Sequence, residues 1–231
     1  MKRIFVFLLS LSFVFSLAAQ NEGQENIKKE TRAIKEFDKL RVTKGINVTL
    51  IKGDKPKAEI NIINAPTSDV VIENDQNELT VKMRTKVYQD VTVQVYLTYT
   101  DIRSISVGSG GNVDNEGVLT SKMLTLDGGL DGVINLDVEV DALEATLSTA
   151  RIALDGYAKT VEVKASTGGK FQGEGLETEK AYVSANTGAI VTVNVSELLD
   201  AKASTGGTVE YTGNPSKVKV KETFGGSVEK I

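Results

Sequence analysis

The 231-residue chain has no cysteine, no histidine and no tryptophan, and only three prolines. Without cysteine there is no disulfide and no thiolate nucleophile; without histidine there is no imidazole base and no imidazole metal ligand. A block of basic charge is also missing. Once the first 19 residues are set aside, 25 Lys and Arg stand against 31 Asp and Glu, a net charge of −6. That mildly acidic balance argues against nucleic acid or an anionic lipid surface as partner. Arginine is scarce beyond residue 100, where only Arg103 and Arg151 occur. A clustered acid–base–arginine arrangement of the kind used by polysaccharide-cleaving enzymes finds little support there. No cofactor is expected, and the chain is expected not to be an enzyme.

Long apolar runs are confined to the N-terminus. Lys2 and Arg3 precede Ile4 to Leu17, and the small residues Ala18 and Ala19 follow. This is the format of a signal peptide over residues 1–19, too short and wrongly flanked for a spanning helix. The chain is therefore expected to be exported to the periplasm, the outer-membrane surface or the exterior, with no membrane span after cleavage. Residues 20–36 are polar and read as a solvated linker.

From Phe37 the pattern becomes a strict alternation. Ile46, Val48 and Leu50 face one way, as do Ala58, Ile60 and Ile62, then Leu79, Val81 and Met83, then Val91 to Tyr99 at every second residue. No segment beyond the signal keeps a 3.6-residue period, so helices should be scarce. Eighteen of the 21 glycines lie beyond residue 100, where they mark a recurring turn. The turns read GSGG (108–111), DGGL (127–130), STAR (148–151), STGG (166–169), NTGA (186–189), STGG (204–207) and TFGG (223–226). Anchors at Ile105, Leu124, Ala145, Val163, Val183, Ala201 and Val220 set a period near 19 residues. One strand and one turn per period is the mark of a β-solenoid, whose coils bury their inner faces only by stacking. The expected fold is all-β: a right-handed parallel β-helix spanning 37–231. Residues 37–100 would form an N-terminal β cap or first coils, and 101–231 regular coils. The paired glycines Gly110–Gly111, Gly168–Gly169 and Gly206–Gly207 should supply positive φ at the corners. Neighbouring Ser and Thr hydroxyls should bond coil to coil.

The stretch FDKLRVTKGINVTLIKGDKPKAEI (37–60) resembles the opening of the head GIN domain family of auto-transporter adhesins, with Gly45-Ile46-Asn47 as the eponymous tripeptide. The resemblance continues through Val107 to Gly111 and the STGG repeats. It implies an exported β-helical domain of the Bacteroidetes cell envelope with an adhesin-like role.

Three constellations could carry function. Asp127, Asp131 and Asp137 lie near glycine-rich turns and could supply calcium oxygens, although turn-forming aspartates have the same pattern. Of the six tyrosines, Tyr96 and Tyr182 fall on outward positions where a ring could stack on a sugar or anchor a protein. Glu222 replaces an apolar inward residue in the last unit, which would blunt an open end. The leading expectation is a binding module for a glycan or envelope protein. The alternatives are a carbohydrate-active enzyme on the same scaffold and a structural protein that forms homo-oligomers through its end coils.

Overall fold

The computed structural model describes residues 27–231, so the expected signal peptide lies outside the described residues. The described residues form seventeen strands in one continuous sheet. The first seven are β1 (Lys28–Ala33), β2 (Lys39–Val42), β3 (Asn47–Lys52), β4 (Lys57–Ile63), β5 (Val70–Asp75), β6 (Glu78–Met83) and β7 (Thr92–Tyr99). Then come β8 (Ser104–Val107), β9 (Asn112–Glu116), β10 (Leu119–Gly128), β11 (Val133–Ser148) and β12 (Arg151–Ser166). The last five are β13 (Lys170–Asn186), β14 (Ile190–Ser204), β15 (Thr208–Thr212), β16 (Lys217–Thr223) and β17 (Ser227–Lys230). Among the described residues the only helical element is a single 3-10 turn, Thr67–Asp69. The sheet winds into a β-solenoid of about seven turns, as the period predicts.

Each coil has one tight corner that joins two ladders. The ladder before the corner runs β5–β6–β2–β8–β10–β11–β12–β13–β14–β16, parallel except for the β5–β6 pair. The ladder after it runs β1–β4–β7–β3–β9–β11–β12–β13–β14–β15–β17, parallel except where β4 meets β1 and β7. Strands β11 to β14 continue unbroken from one corner to the next, with alternate side chains buried on either side of a mid-strand interruption, at 141–142 in β11 and 155–157 in β12. Inside the coils, Leu143, Val161, Ala181 and Leu199 stack in register, as do Leu147, Ala165, Ala185 and Ala203. All eight are buried. Burying such side chains contributes roughly 1.5–3 kcal/mol each for Val or Leu, less for Ala.

The corners follow one recipe. In Ser166-Thr167-Gly168-Gly169 the two central residues have φ of 50° and 73°, and the Gly169 N–H donates to the Ser166 carbonyl at 2.9 Å. Positive φ at both central positions is the type I′ pattern. It recurs at Gly108–Gly111, Gly129–Gly132, Asn186–Ala189, Ser204–Gly207 and Thr223–Gly226, each closed by the same hydrogen bond. The two glycines of a pair therefore do different work, which refines the expectation that both supply positive φ. Gly168 takes the left-handed conformation in open space. The second glycine is needed for close approach: a Cβ on Gly207 would lie 2.3 Å from the Ala185 carbonyl oxygen of the coil beside it. The corners are also tied to one another through the backbone rather than by hydroxyl rungs. Gly110, Gly168, Gly188 and Gly206 donate N–H bonds of 3.0–3.3 Å to the carbonyls of Leu130, Thr187, Thr205 and Phe224 on the next corner. The hydroxyls bond locally instead, Thr149 Oγ1 to the Ser148 carbonyl and Ser204 Oγ to Thr205 Oγ1.

Three sequence readings shift here. The residue in register with Ile105 is Leu126, not Leu124, and the second corner is Gly129-Leu130-Asp131-Gly132 rather than 127–130. Both choices share the inward parity, so alternation alone could not separate them. Residues 28–33, expected in the linker, form β1 and pair antiparallel with β4, because Arg32 bonds Glu30 and reaches the carbonyls of Thr67 and Val70. The unequal steps between coils have local causes. Corner 148–150 is one residue shorter than its neighbour, and a bulge between Gly173 and Glu177 absorbs extra residues.

Candidate functional site

Tyr182 sits on the outer side of the pre-corner ladder, 41 % exposed, in register with Glu162 on one side and Asp200 on the other. The neighbouring rung of outward residues is Thr146, Lys164, Ser184 and Lys202. Together these side chains line a shallow groove of about 430 Å³. Strand alternation places them there: in the pre-corner parts of β11 to β14 every second residue is taken by the core, so the polar residues between form a continuous outer face. Lys164 pairs with Glu162 at 2.6 Å, and this contact raises the Lys164 pKa. Lys219 approaches Asp200 at 3.8 Å, and Asn186 Nδ2 donates to Ser184 Oγ. The groove thus surrounds one aromatic ring with ammonium, carboxylate and hydroxyl groups. That set can stack a flat apolar face while exchanging hydrogen bonds with hydroxyls around it.

Tyr96 is not part of this groove. It lies on the post-corner ladder, half-buried between Glu59 and Thr49. Five strand steps separate β7 from β13, about 24 Å along the axis at 4.8 Å per step. The two tyrosines share an outward parity but not a site. The three aspartates occupy three different settings. Asp127 lies on the pre-corner ladder beside Ser106 and Thr146, and Asp131 is a central corner residue at φ 60°. Asp137 is fixed through its backbone by the Asn115 amide. Among the described residues no three acidic side chains come together to hold a metal ion.

The tripeptide Gly45-Ile46-Asn47 is structural. Gly45 makes the first corner with Lys44 at φ of 67° and 61°, and Ile46 is fully buried. Asn47 Nδ2 bonds the Val93 carbonyl. At the far end, Glu222 occupies the inward position matching Ala203, and its carboxylate accepts the Val228 N–H at 2.7 Å. Sequence reading missed a cationic group around the first corner, Lys44, Arg84 and Lys86. No run of basic residues announces it, because it is assembled from segments 40 residues apart.

The ladders, their stacked core and the recurring corners define a β-solenoid. The chain belongs to the head GIN domain family: the profile described as "Putative auto-transporter adhesin, head GIN domain" matches residues 36–215. Solved structures agree in fold. A "putative adhesin" from Bacteroides fragilis NCTC 9343 superposes with a TM-score of 0.80 at 16 % identity, covering 90 % of this chain and 98 % of its own. One from Parabacteroides merdae ATCC 43184 gives 0.67 at 17 % over the same shares. A "putative lipid binding protein" from Parabacteroides distasonis ATCC 8503 gives 0.68 at 14 %, again over 90 % and 98 %. No curated protein matches the sequence. The family model and the Bacteroides fragilis and Parabacteroides merdae neighbours, each described as an adhesin rather than as an enzyme, fit an exported, adhesin-like protein. Among the described residues no helix is long and apolar enough to cross a membrane.

Proposed function

We propose that the chain is a non-catalytic binding module of the bacterial cell envelope, and that it grips a glycan along the pre-corner ladder at Tyr182. The observation that carries this reading is the Tyr182 groove, an exposed ring inside an alternating row of Glu162, Lys164, Ser184, Asp200 and Lys202. A pyranose offers an apolar face to the ring and hydroxyls to the row. The ladder repeats every 4.8 Å or so, and affinity along it would accumulate from several weak contacts rather than one deep pocket. The family assignment supports an adhesin-like role, and the fold is shared with a neighbour described as lipid-binding, so the choice of glycan rests on the groove chemistry. The test is a glycan-array screen of residues 20–231, followed by titration of any hit. Tyr182→Ala should weaken binding about tenfold or more, as truncating a central aromatic contact does, and Tyr96→Ala should not. Binding that survives Tyr182→Ala intact would remove the groove from the reading.

A second reading rests on the last coil. Val218, Val220, Phe224 and Ile231 are 43 %, 49 %, 86 % and 60 % exposed, and strands β16 and β17 each have one neighbour only. The outward row Lys217, Lys219 and Lys221 on β16 is opposite in sign to Glu73 and Asp75 on β5, the strand that ends the same ladder at the other extreme. Head-to-tail stacking of two copies would bring these rows together, whereas tail-to-tail stacking would oppose lysines. Sedimentation showing a mass that rises with concentration and falls in high salt supports the stacking; a monomer at all concentrations ends it.

A further inference from the structure

The stack of tight corners stops at Thr43–Ile46. In the next coil outward, β6 and β7 are joined not by a four-residue turn but by the longer segment 84–91. The corner and this segment leave between them a pocket of about 290 Å³. Its floor is apolar: Met83 and Val93 are buried, and Val91 and Tyr88 pack on the core. Its rim is cationic. Lys44 Nζ touches only the Thr85 hydroxyl, at 2.6 Å, and Arg84 is anchored through Nε on the Ser68 carbonyl at 3.0 Å. Lys86 is the one rim cation with a carboxylate partner, the buried Asp69 at 2.7 Å. Arg84 also lies near enough to Asp69 to help hold that carboxyl below its usual range, so among the described residues the rim sets three cations against the one carboxylate of Asp69, on a chain whose overall charge is negative.

We infer that this pocket binds a small anionic amphiphile, an aliphatic carboxylate whose head pairs with Lys44 and Arg84 while its chain covers Met83, Val91 and Val93. The charge selects the head. The side chains of the floor select a hydrocarbon rather than a sugar, whose hydroxyls would go unpaired against them. The volume lies at the small end of the range for small-ligand sites, about 300–1,000 Å³, which excludes a two-chain lipid. Arg84 offers its terminal nitrogens as a planar fork matched to a carboxylate. Lys86 holds the segment in place through Asp69. The site lies at the opposite end of the molecule from Tyr182 and is independent of the glycan reading.

Titration calorimetry of the mature chain with sodium acetate, butyrate, hexanoate, octanoate and with octanol tests the inference. Affinity should rise about three- to fourfold per added methylene until the floor is covered, and octanol should bind far more weakly than octanoate. Arg84→Gln and Lys44→Asn should each weaken octanoate about tenfold, the size expected for a lost charge-assisted contact. Asn is chosen because it tolerates the left-handed conformation of residue 44. Both positions are exposed, so the variants should melt like the parent. Tyr182→Ala should leave octanoate binding unchanged. The inference is overturned by any of three results: acetate binding as well as octanoate, octanol binding as well as octanoate, or octanoate binding undiminished in both cation variants. Absence of octanoate binding overturns it too.

Discussion

The two ends of the solenoid solve the same problem in different ways. At the N-terminal end the sheet finishes in antiparallel strands, β5 on one ladder and β1 with β4 on the other. Beneath them Leu40, Ile46, Leu50, Ile60, Ile62, Leu79 and Leu97 are fully buried, and side chains of the same size continue along the rod at Leu126, Ile134, Ile152, Phe171 and Leu199. Ion pairs reinforce that end, Arg32 with Glu30, Arg41 with Glu78 and Lys86 with Asp69. At the C-terminal end a single coil lies uncovered, and its inner residues are valines near half exposure. The coils leading to it are lined by Ala181, Ala185, Ala201 and Ala203 alongside Val183, Val191, Val195 and Leu199, all buried. The lesson is that repeated coils fix geometry while stability is set by what fills and what ends them. Nearest-neighbour stacking stabilises every interior coil equally in principle, but the end coil has half the contacts.

The comparison can be broken first in the core. Phe171→Ala should cost about 3–5 kcal/mol and Leu97→Ala about 2–5 kcal/mol by denaturant melts, because both side chains are fully enclosed. If Val220→Ala, in the end coil, costs as much, the contrast between the ends is wrong. Next in size are the corners. Gly207→Ala puts a methyl group against the backbone of the neighbouring coil, and overpacking of that kind costs about 1–3 kcal/mol. Gly206→Ala meets open space and loses only through its left-handed conformation, about 1–2 kcal/mol. Equal losses would show that close approach is not what the second glycine serves.

Acid sharpens the contrast further. The Arg32 guanidinium holds Glu30 at about 2, Lys86 holds Asp69 below its ordinary range, and Arg41 does so for Glu78. These folded-state values are depressed, so the stability the carboxylates contribute is complete above their ordinary range near 4. It is lost as pH falls through the folded values toward about 2. All three carboxylates lie between residues 30 and 78. Pepsin at pH 2–3 should therefore open the N-terminal strands sooner, relative to the end coil, than a neutral protease does. First cuts within β12 or β13 would contradict this. The smallest effect is expected at Phe224, 86 % exposed on the last corner: Phe224→Ser should change stability by less than about 0.5 kcal/mol.

Much of this architecture was legible in the sequence, for a physical reason. Period-two alternation reports burial directly, so Val48, Val95, Val163 and Val183 could be placed inside before any coordinates. The corner glycines report a backbone conformation that few residues adopt. Parity does not report register, which is why Leu124 stood in for Leu126. Nor does it report which ladder an outward residue joins, which is why Tyr96 and Tyr182 looked alike. Strand β1 was hidden because its residues are polar and partly exposed: its place is fixed by Arg32 reaching carbonyls 35 and 38 residues away. The cationic pocket was hidden for the same reason, since Lys44 and Arg84 meet only after β6 and β7 have passed outside the first corner.

The one-corner-per-coil construction also governs how the molecule would respond to mechanical load. Pulling the two ends apart along the axis strains the inter-coil hydrogen bonds in tension, and each coil is held only by its neighbours. Rupture should begin at the uncovered coil and proceed one coil at a time, each event releasing about 19 residues, or roughly 65 Å of slack at 3.4 Å per residue. A tether built this way yields in small steps and lengthens under a tug while the rest of the rod keeps its shape.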